Sequence, residues 1–171
     1  EEAWKNEFWF ALMRQEDTRE LWHPELEMIF ILKGTGQVYS ADRKMTYTVR
    51  ERDIFVINSF EMLNVELEND AVALSFYATY RFIASVTPEL LKYKIDCRSF
   101  LHAEEKQAPF DVLRRDLAIA FQNQYKSEGN GSNYLKSKAA GILEDLCQLF
   151  LNSSQTVESK GSSEQMRVMV E

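Results

Sequence analysis

Residues able to bind a metal ion or a polar ligand are concentrated in one stretch, LWHPELEMIFILKG, at positions 21–34. His23 and Glu27 are both common metal-ligand types, and Glu25 lies between them. A helix would place His23 and Glu27 on one face, but Pro24 disfavours helix at the residue before it. The run MIFIL is typical of a β-strand, on which alternate residues share a face. The stretch therefore predicts a strand that presents one imidazole and two carboxylates on the same side.

Charged groups on a buried strand face are costly unless a partner neutralises them. Three partners fit: a metal ion, a protein cation such as Arg14, and a ligand rich in hydroxyls, which both donate and accept hydrogen bonds. Arg14 itself, with Tyr39 and Tyr77 on two other predicted strands, is added to the candidate ligand-binding residues. Trp22 has the opposite parity to His23, so it is predicted to pack outside a barrel or at its rim.

The first half of the chain shows short strands separated by polar turns. Such regular spacing favours an antiparallel sandwich or barrel over a βαβ fold. The predicted strands lie at residues 8–13, 27–32, 37–40, 45–49, 53–57, 63–67 and 71–77.

The second half shows helical periodicity. Thr87 and Pro88 predict the start of a short helix, Pro109 opens a longer one, and Ser132 is a cap for the next. Apolar residues of this last helix step by three and four, the spacing of a helix–helix seam. The seam either packs on the β domain or forms a homodimer, and both alternatives stay open. Its residues, predicted to mediate dimerisation, are Leu135, Ala139, Ile142, Leu146 and Leu149.

Composition restricts the possible functions. The 171 residues carry a net charge of −7 without a Lys/Arg block, which disfavours a nucleic-acid surface on this chain. No apolar run approaches the length of a membrane-spanning helix, and no signal peptide is evident, so a cytoplasmic location without membrane contact is expected. Cys97 and Cys147 form no CxxC pair and are interpreted as free thiols in a reducing compartment.

Spacing within the opening stretch carries a resemblance to a known family. His23, Glu27 and Gly34 match the second His, the Glu and the Gly of the first cupin motif, while Leu21 occupies the position of the first His. The sequence resembles the cupin fold, and more closely the ligand-sensing N-terminal domain of AraC/XylS-family transcription regulators.

A second motif supports the resemblance, although two of its positions hold other residues than the family's. The segment RERDIFVIN is similar to the family's Gly-Asp segment, with Arg52 in place of the Gly before Asp53. Leu63 replaces the last His of this motif, and Cys97-Arg98-Ser99, between the β half and the helices, also looks like the family. Two protein ligands rarely hold a catalytic metal, so no metal and no cofactor are predicted, although Glu25 or Glu61 would in principle supply a third ligand.

The resemblance implies a β-rich α+β fold, a cupin-like (double-stranded β-helix or jelly-roll) barrel followed by two antiparallel α-helices. The predicted divisions are a barrel at 1–85, a helical dimerisation region at 86–152, a flexible linker at 153–165 and, at 166–171, the start of an absent helix-turn-helix domain.

The implied function is that of a non-enzymatic sensor domain. It would bind a small effector, with a saccharide as the first expectation, form a homodimer, and contact DNA only through the absent domain. One alternative is a metal-dependent cupin enzyme, an isomerase or dioxygenase with a reduced ligand set. Another is a dimerisation module whose barrel is filled by its own side chains.

Overall fold

The computed structural model describes residues 7–17, 19–21, 23–126, 132–151 and 155–156. Trp22, the segment 166–171 and most of the predicted linker at 153–165 lie outside the described residues. The predictions made for them stay predictions.

Within the described residues, two four-stranded antiparallel sheets face each other. The predicted barrel is confirmed, and so is the β-rich α+β fold class. The first sheet has the order β1 (Phe8–Met13), β8 (Val72–Ala78), β3 (Leu26–Lys33), β6 (Ile54–Ile57). The second has the order β2 (Arg19–Leu21), β7 (Leu63–Leu67), β4 (Thr35–Ser40), β5 (Met45–Arg50).

The space between the sheets is an apolar core. Alternate residues point inward along each strand, so β3 contributes Ile29 and Ile31, while Val38 and Val65 come from the opposite sheet. Gly34 ends β3 with a positive φ of 82°, and a Cβ there would lie 2.8 Å from the Cα of Ala71. The glycine of the first motif is therefore required by both backbone angle and space.

A second core lies between the outer face of the first sheet and the helices. The helices are α1 (Tyr80–Val86), α2 (Ala108–Lys126) and α3 (Ser132–Phe150). Met28 and Phe76 of the sheet belong to the same apolar cluster as Phe82 and Leu117 of the helices. This packing explains why the strands of the first sheet are apolar on both faces.

The predicted dimer seam lies in this second core. Leu135, Ala139, Ile142 and Leu146 are at most 3% exposed and belong to the cluster shared with the sheet, whereas Leu149 is 39% exposed. Assigning the first four residues to a dimer surface was therefore wrong, because their apolar face is buried against the chain's own sheet.

The structure also differs from the sequence predictions in local details. Strand β2 and helix α1 were not predicted, because each is short and interrupts a pattern dominated by its neighbours. The helix expected at Thr87 is a single 3-10 turn, Pro88–Leu91, and the Thr87 side chain makes no capping hydrogen bond. Beyond α3, β10 (Gln155–Thr156), inside the predicted linker, pairs with β9 (Tyr93–Lys94).

Candidate functional site

A row of side chains crosses the inner face of the first sheet near one end of the barrel. Tyr77 is the cross-strand partner of both Trp9 and Glu27, and Glu27 is also paired with Ile57. Directly paired residues share a face, and Ile57 belongs to the core between the sheets. The row therefore faces the barrel interior. Ser75, two residues before Tyr77 on β8, faces the same way.

His23 precedes β3 and folds back over this row. Its Nε2 lies 2.9 Å from Oε2 of Glu27, and its Nδ1 lies 3.0 Å from the backbone oxygen of Glu25. A carbonyl oxygen only accepts, so Nδ1 donates, and the 2.9 Å contact then requires a second proton, either on Nε2 or on Glu27. The pair therefore holds one more proton than a neutral imidazole and a carboxylate.

The electrostatics of His23 agree with that proton count. Burial alone lowers the pKa of the imidazole, but the hydrogen bond and charge of Glu27, with smaller contributions from Glu25, outweigh it. The pKa of His23 consequently lies above its ordinary value of 6.5. The side chain of His23 is 18% exposed, while that of Glu27 is fully buried.

Two polar atoms in this region have no hydrogen-bond partner among the described residues. They are Oε1 of Glu27 and Oγ of Ser75, in residues that are 0% and 1% exposed. A buried polar atom without a partner costs about 1–3 kcal/mol. Such groups are rare in native proteins and call for a specific explanation. The arrangement has unused capacity to bind a hydrogen-bond donor.

An aromatic surface adjoins these atoms. The rings of Trp9 and Tyr77 are stacked, with centroids 4.8 Å apart and planes inclined by 13°. The His23 ring lies 5.6 Å from the Tyr77 ring. Trp9 and Tyr77 are half-buried, which places one part of each ring at the rim of the barrel. We call Trp9, His23, Glu27, Ser75 and Tyr77 the site cluster.

The structure brings together part of the predicted ligand-binding set. His23, Glu27 and Tyr77 are in contact, and Glu25 contributes its backbone oxygen, with its carboxylate 3.6 Å from Nδ1 of His23. The prediction missed Trp9 and Ser75. Ser75 was detectable as a polar residue inside the apolar strand ALSFYA, at the same parity as Tyr77.

Two predicted residues do not belong to the cluster. Tyr39 is 43% exposed on β4, because the inward positions of that strand are Val38 and Ser40. Arg14 is exposed and lines a separate 440 Å³ cleft with Asn69 and other residues. The structure therefore places both residues outside the site cluster; the strand phase on which their assignment rested was uncertain.

The residues present do not fit a cupin metal centre. Leu63, at the position of the last His, is 3% exposed and packs in the core between the sheets. Glu61 has both carboxylate oxygens engaged by protein donors. Over the whole described part of the chain, no group of three His, Cys, Asp or Glu side chains is arranged to hold a metal ion. Cys97 and Cys147 are free thiols, as predicted, and burial raises the pKa of Cys97 strongly.

A second charged cluster lies around Glu61. Its Oε1 accepts from Arg98 at 2.8 Å, and its Oε2 accepts from both the backbone and the side-chain nitrogen of Asn58 at 2.9 Å. Asn58 in turn exchanges two hydrogen bonds with the backbone of Ile95. Lys94 lies 3.5 Å from Glu61, beside a 240 Å³ cleft. Every charge in this buried group has a partner.

A third polar region joins the barrel to α2. Arg114 donates to the backbone oxygen of Arg52 at 2.7 Å and to Asp111 at 2.8 Å, next to a cleft of about 760 Å³. Arg52, which replaces the glycine of the second motif, has a φ of 77°. The turn is thus left-handed without a glycine, and the carbonyl of Arg52 holds α2 through Arg114.

Comparisons with known proteins identify the fold. No protein-family model matches the chain, and no curated protein matches its sequence. ToxT from Vibrio cholerae, in one crystal form, aligns with a TM-score of 0.53 at 15% identity, over 96% of this chain and 64% of ToxT. A variant of apo ToxT from strain SCE256 aligns with a TM-score of 0.51 at 9% identity, over 83% of this chain and 56% of ToxT. A cupin from Shewanella frigidimarina matches 44% of this chain and 68% of its own, at 9% identity and a TM-score of 0.38, too low to carry an argument.

The chain therefore spans about three fifths of the ToxT chains that it matches. In the described part of the chain, no helix is both long and apolar enough to cross a membrane. By fold, the chain is a cupin-like barrel with appended helices, similar to the corresponding part of ToxT.

Proposed function

We propose that the chain is the effector-sensing domain of an AraC-type transcription regulator, and that its effector is a saccharide bound at the site cluster. The observation that carries the proposal is a pair of buried atoms beside the stacked Trp9 and Tyr77 rings, Glu27 Oε1 and Ser75 Oγ, for which the described residues offer no hydrogen-bond partner. The fold likeness to ToxT supports the regulatory part of the proposal.

A sugar meets the chemical requirements of the cluster. Its hydroxyl groups donate to the free carboxylate oxygen of Glu27 and exchange hydrogen bonds with Ser75. Its apolar C–H face packs on the exposed parts of Trp9 and Tyr77, as expected of a site with a few polar groups among aromatic ones. A simple anionic ligand is disfavoured. The open oxygen of Glu27 is an acceptor, with or without negative charge, and therefore needs a hydrogen-bond donor from the ligand.

The remaining parts of the regulator are included in the proposal. DNA binding is assigned to a helix-turn-helix domain outside this chain, and homodimerisation to an exposed surface of the helices. Tyr134 and Leu149 are exposed on α3, at 49% and 39%, and are the first residues to substitute in a dimer test by sedimentation velocity. The proposed domain is not an enzyme.

The test is thermal melting of the chain against a panel of mono- and oligosaccharides and, separately, zinc, iron and manganese ions. A ligand that binds only the folded state raises the melting temperature, by several degrees at saturation. Glu27→Gln and Ser75→Ala are expected to abolish a shift produced by a sugar. Glu66→Gln, on an exposed carboxylate of β7, is the matched control and should keep the shift.

Three outcomes would contradict the proposal. A shift with a metal ion alone would support the metal-dependent enzyme instead. Silence with every sugar and metal would support a packed dimerisation module. A sugar shift that survives Glu27→Gln would place the ligand elsewhere in the chain.

A further inference from the structure

The turn formed by residues 58–61 is strained and contacts the site cluster. Phe60 has a φ of 61°, a left-handed conformation that a bulky residue rarely adopts. Its backbone N–H donates to the backbone oxygen of His23 at 3.0 Å. Strain of this kind costs of order 1–3 kcal/mol and persists only where the surroundings enforce it. The turn therefore fixes the position of the segment that carries the histidine.

The other side of the turn is bound to the segment 95–98. Asn58 donates to the oxygen of Ile95 at 2.9 Å and accepts from its nitrogen at 2.7 Å, in the manner of a paired strand. Glu61 accepts from Arg98, and both residues are nearly fully buried. A shift of the turn therefore cannot leave this segment in place without breaking buried hydrogen bonds.

The segment 95–98 is joined through β9 to the last described part of the chain. Ile95 follows β9, whose Tyr93 and Lys94 pair with Thr156 and Gln155 of β10. Residues 157–171 continue from β10. Lys94 also pairs with Glu61 and Asp42, so the strand pair and the charged cluster share a residue.

We propose that the turn at residues 58–61 transmits the state of the site cluster to the β9–β10 strand pair. The inference rests on the proposed function for its purpose, since an effector switches a regulator only by binding two arrangements unequally. The contacts that carry it are the bond from Phe60 to His23 on one side and the bonds from Asn58 to Ile95 on the other.

The test uses the whole chain without ligand and measures amide hydrogen exchange by NMR. His23→Ala removes the ring bonds to Glu27 and Glu25 and releases the segment held by Phe60. We expect exchange at the Ile95 amide, and at the protected amides of β9 and β10, to accelerate at least tenfold. The Leu117 amide, in the middle of α2, serves as the reference for global unfolding.

Ser99→Ala is the matched control. Ser99 is 1% exposed, and its hydroxyl accepts from the nitrogen of Ile54 and donates to Asp53, both outside residues 58–61. Its loss destabilises the protein without touching residues 58–61. In an Asn58→Ala background, His23→Ala should no longer change exchange at β9 and β10.

Two results would overturn the proposal. One is acceleration at Ile95 and the strand pair no greater than in Ser99→Ala, after correction for Leu117. The other is an unchanged effect of His23→Ala in the Asn58→Ala background. If His23→Ala does not fold, Pro24→Gly, at an exposed position, loosens the same segment and is judged by the same criteria. Because no sugar is added, this experiment fails or succeeds independently of the melting screen.

Discussion

The fold treats two buried glutamates differently: Glu27 in the site cluster and Glu61 in the turn at residues 58–61. Glu61 is 6% exposed, and both of its oxygens accept hydrogen bonds from Arg98 and Asn58. Glu27 is fully buried, yet within the described part of the chain only one of its oxygens has a partner, His23. Burial alone therefore does not distinguish a structural carboxylate from one that is available to a ligand. The number of satisfied acceptor atoms does.

The difference has an energetic meaning. A buried ion pair with complete hydrogen bonding offsets the cost of removing its charges from water. A half-satisfied carboxylate lowers the stability of the fold by an amount that a ligand could recover on binding. We therefore assign Glu61 to the architecture and Glu27 to recognition, and the following substitutions examine that division.

The largest effect is expected for Glu61→Gln, which leaves the buried Arg98 guanidinium with only the exposed Asp96 carboxylate, at 3.7 Å, as a counter-charge. Removal of one partner of a buried ion pair costs about 3–5 kcal/mol, and urea denaturation measures the loss. Asp42→Asn is the control, because Asp42 pairs with Lys94 at an exposed position and is worth at most about 1 kcal/mol. A loss for Glu61→Gln as small as that of the control would remove the distinction between the two glutamates.

Replacing both partners is expected to cost less than replacing one. Buried ion pairs are often exchanged for apolar residues of similar volume at little net cost, commonly within a few kcal/mol of neutral. Glu61→Leu combined with Arg98→Met should recover at least half of the stability lost in Glu61→Gln. If stability is not recovered, the loss comes from the hydrogen bonds that Asn58 donates to the carboxylate, and not from the charge on Arg98.

A smaller effect on stability is expected for Glu27→Gln. The amide keeps an acceptor for His23 and removes a buried charge, so the free energy of unfolding should stay within about 1 kcal/mol of its original value. The same substitution is expected to abolish sugar binding. A destabilisation as large as that of Glu61→Gln would make Glu27 a structural residue and break the comparison.

The smallest effect is a pH dependence. Because the folded pKa of His23 is raised above 6.5, its stabilising contribution is complete below pH 6.5 and is lost as pH rises through the folded value. Asp145 acts with the same sign at lower pH. Its pKa is raised from 3.8 to about 6, first by burial and then by Asp116.

Urea titrations between pH 5 and 8 separate the two groups. In an Asp145→Asn background, stability should still fall as pH rises above 6.5, and His23→Gln should flatten that decline. If the decline in stability persists unchanged in His23→Gln, protonation of His23 does not stabilise the folded state in the way its contacts indicate.

Much of the barrel was predictable because strand alternation is a local signal. The strands around Ile29, Val38 and Val65 follow it, and His23 and Glu27 were found by the same parity. Tyr39 was misassigned because its strand buries Val38 and Ser40 instead, a phase decided by the opposite sheet. Parity is reliable only where one end of the strand is anchored by an independent observation.

Other features depend on tertiary structure. The missing partner of Glu27 Oε1 is a property of the packed interior and has no trace in residue order. The α3 seam had the spacing of a dimer, but spacing does not specify which surface covers it, and the chain's own sheet does so. Helix α1, with Phe82 and Ile83 buried, is too short to show a period.

The left-handed Arg52 has a consequence for how this fold changes over evolutionary time. The turn requires a backbone angle, and glycine is only the residue that adopts it most easily, by roughly 1 kcal/mol. Arg52 meets the requirement and adds a contact to Asp111, while its carbonyl holds Arg114. A substitution of this kind removes a residue of the motif from the sequence and preserves the shape of the turn. Exchanges of this kind lower the sequence identity between proteins of one fold while the shape of the barrel is kept.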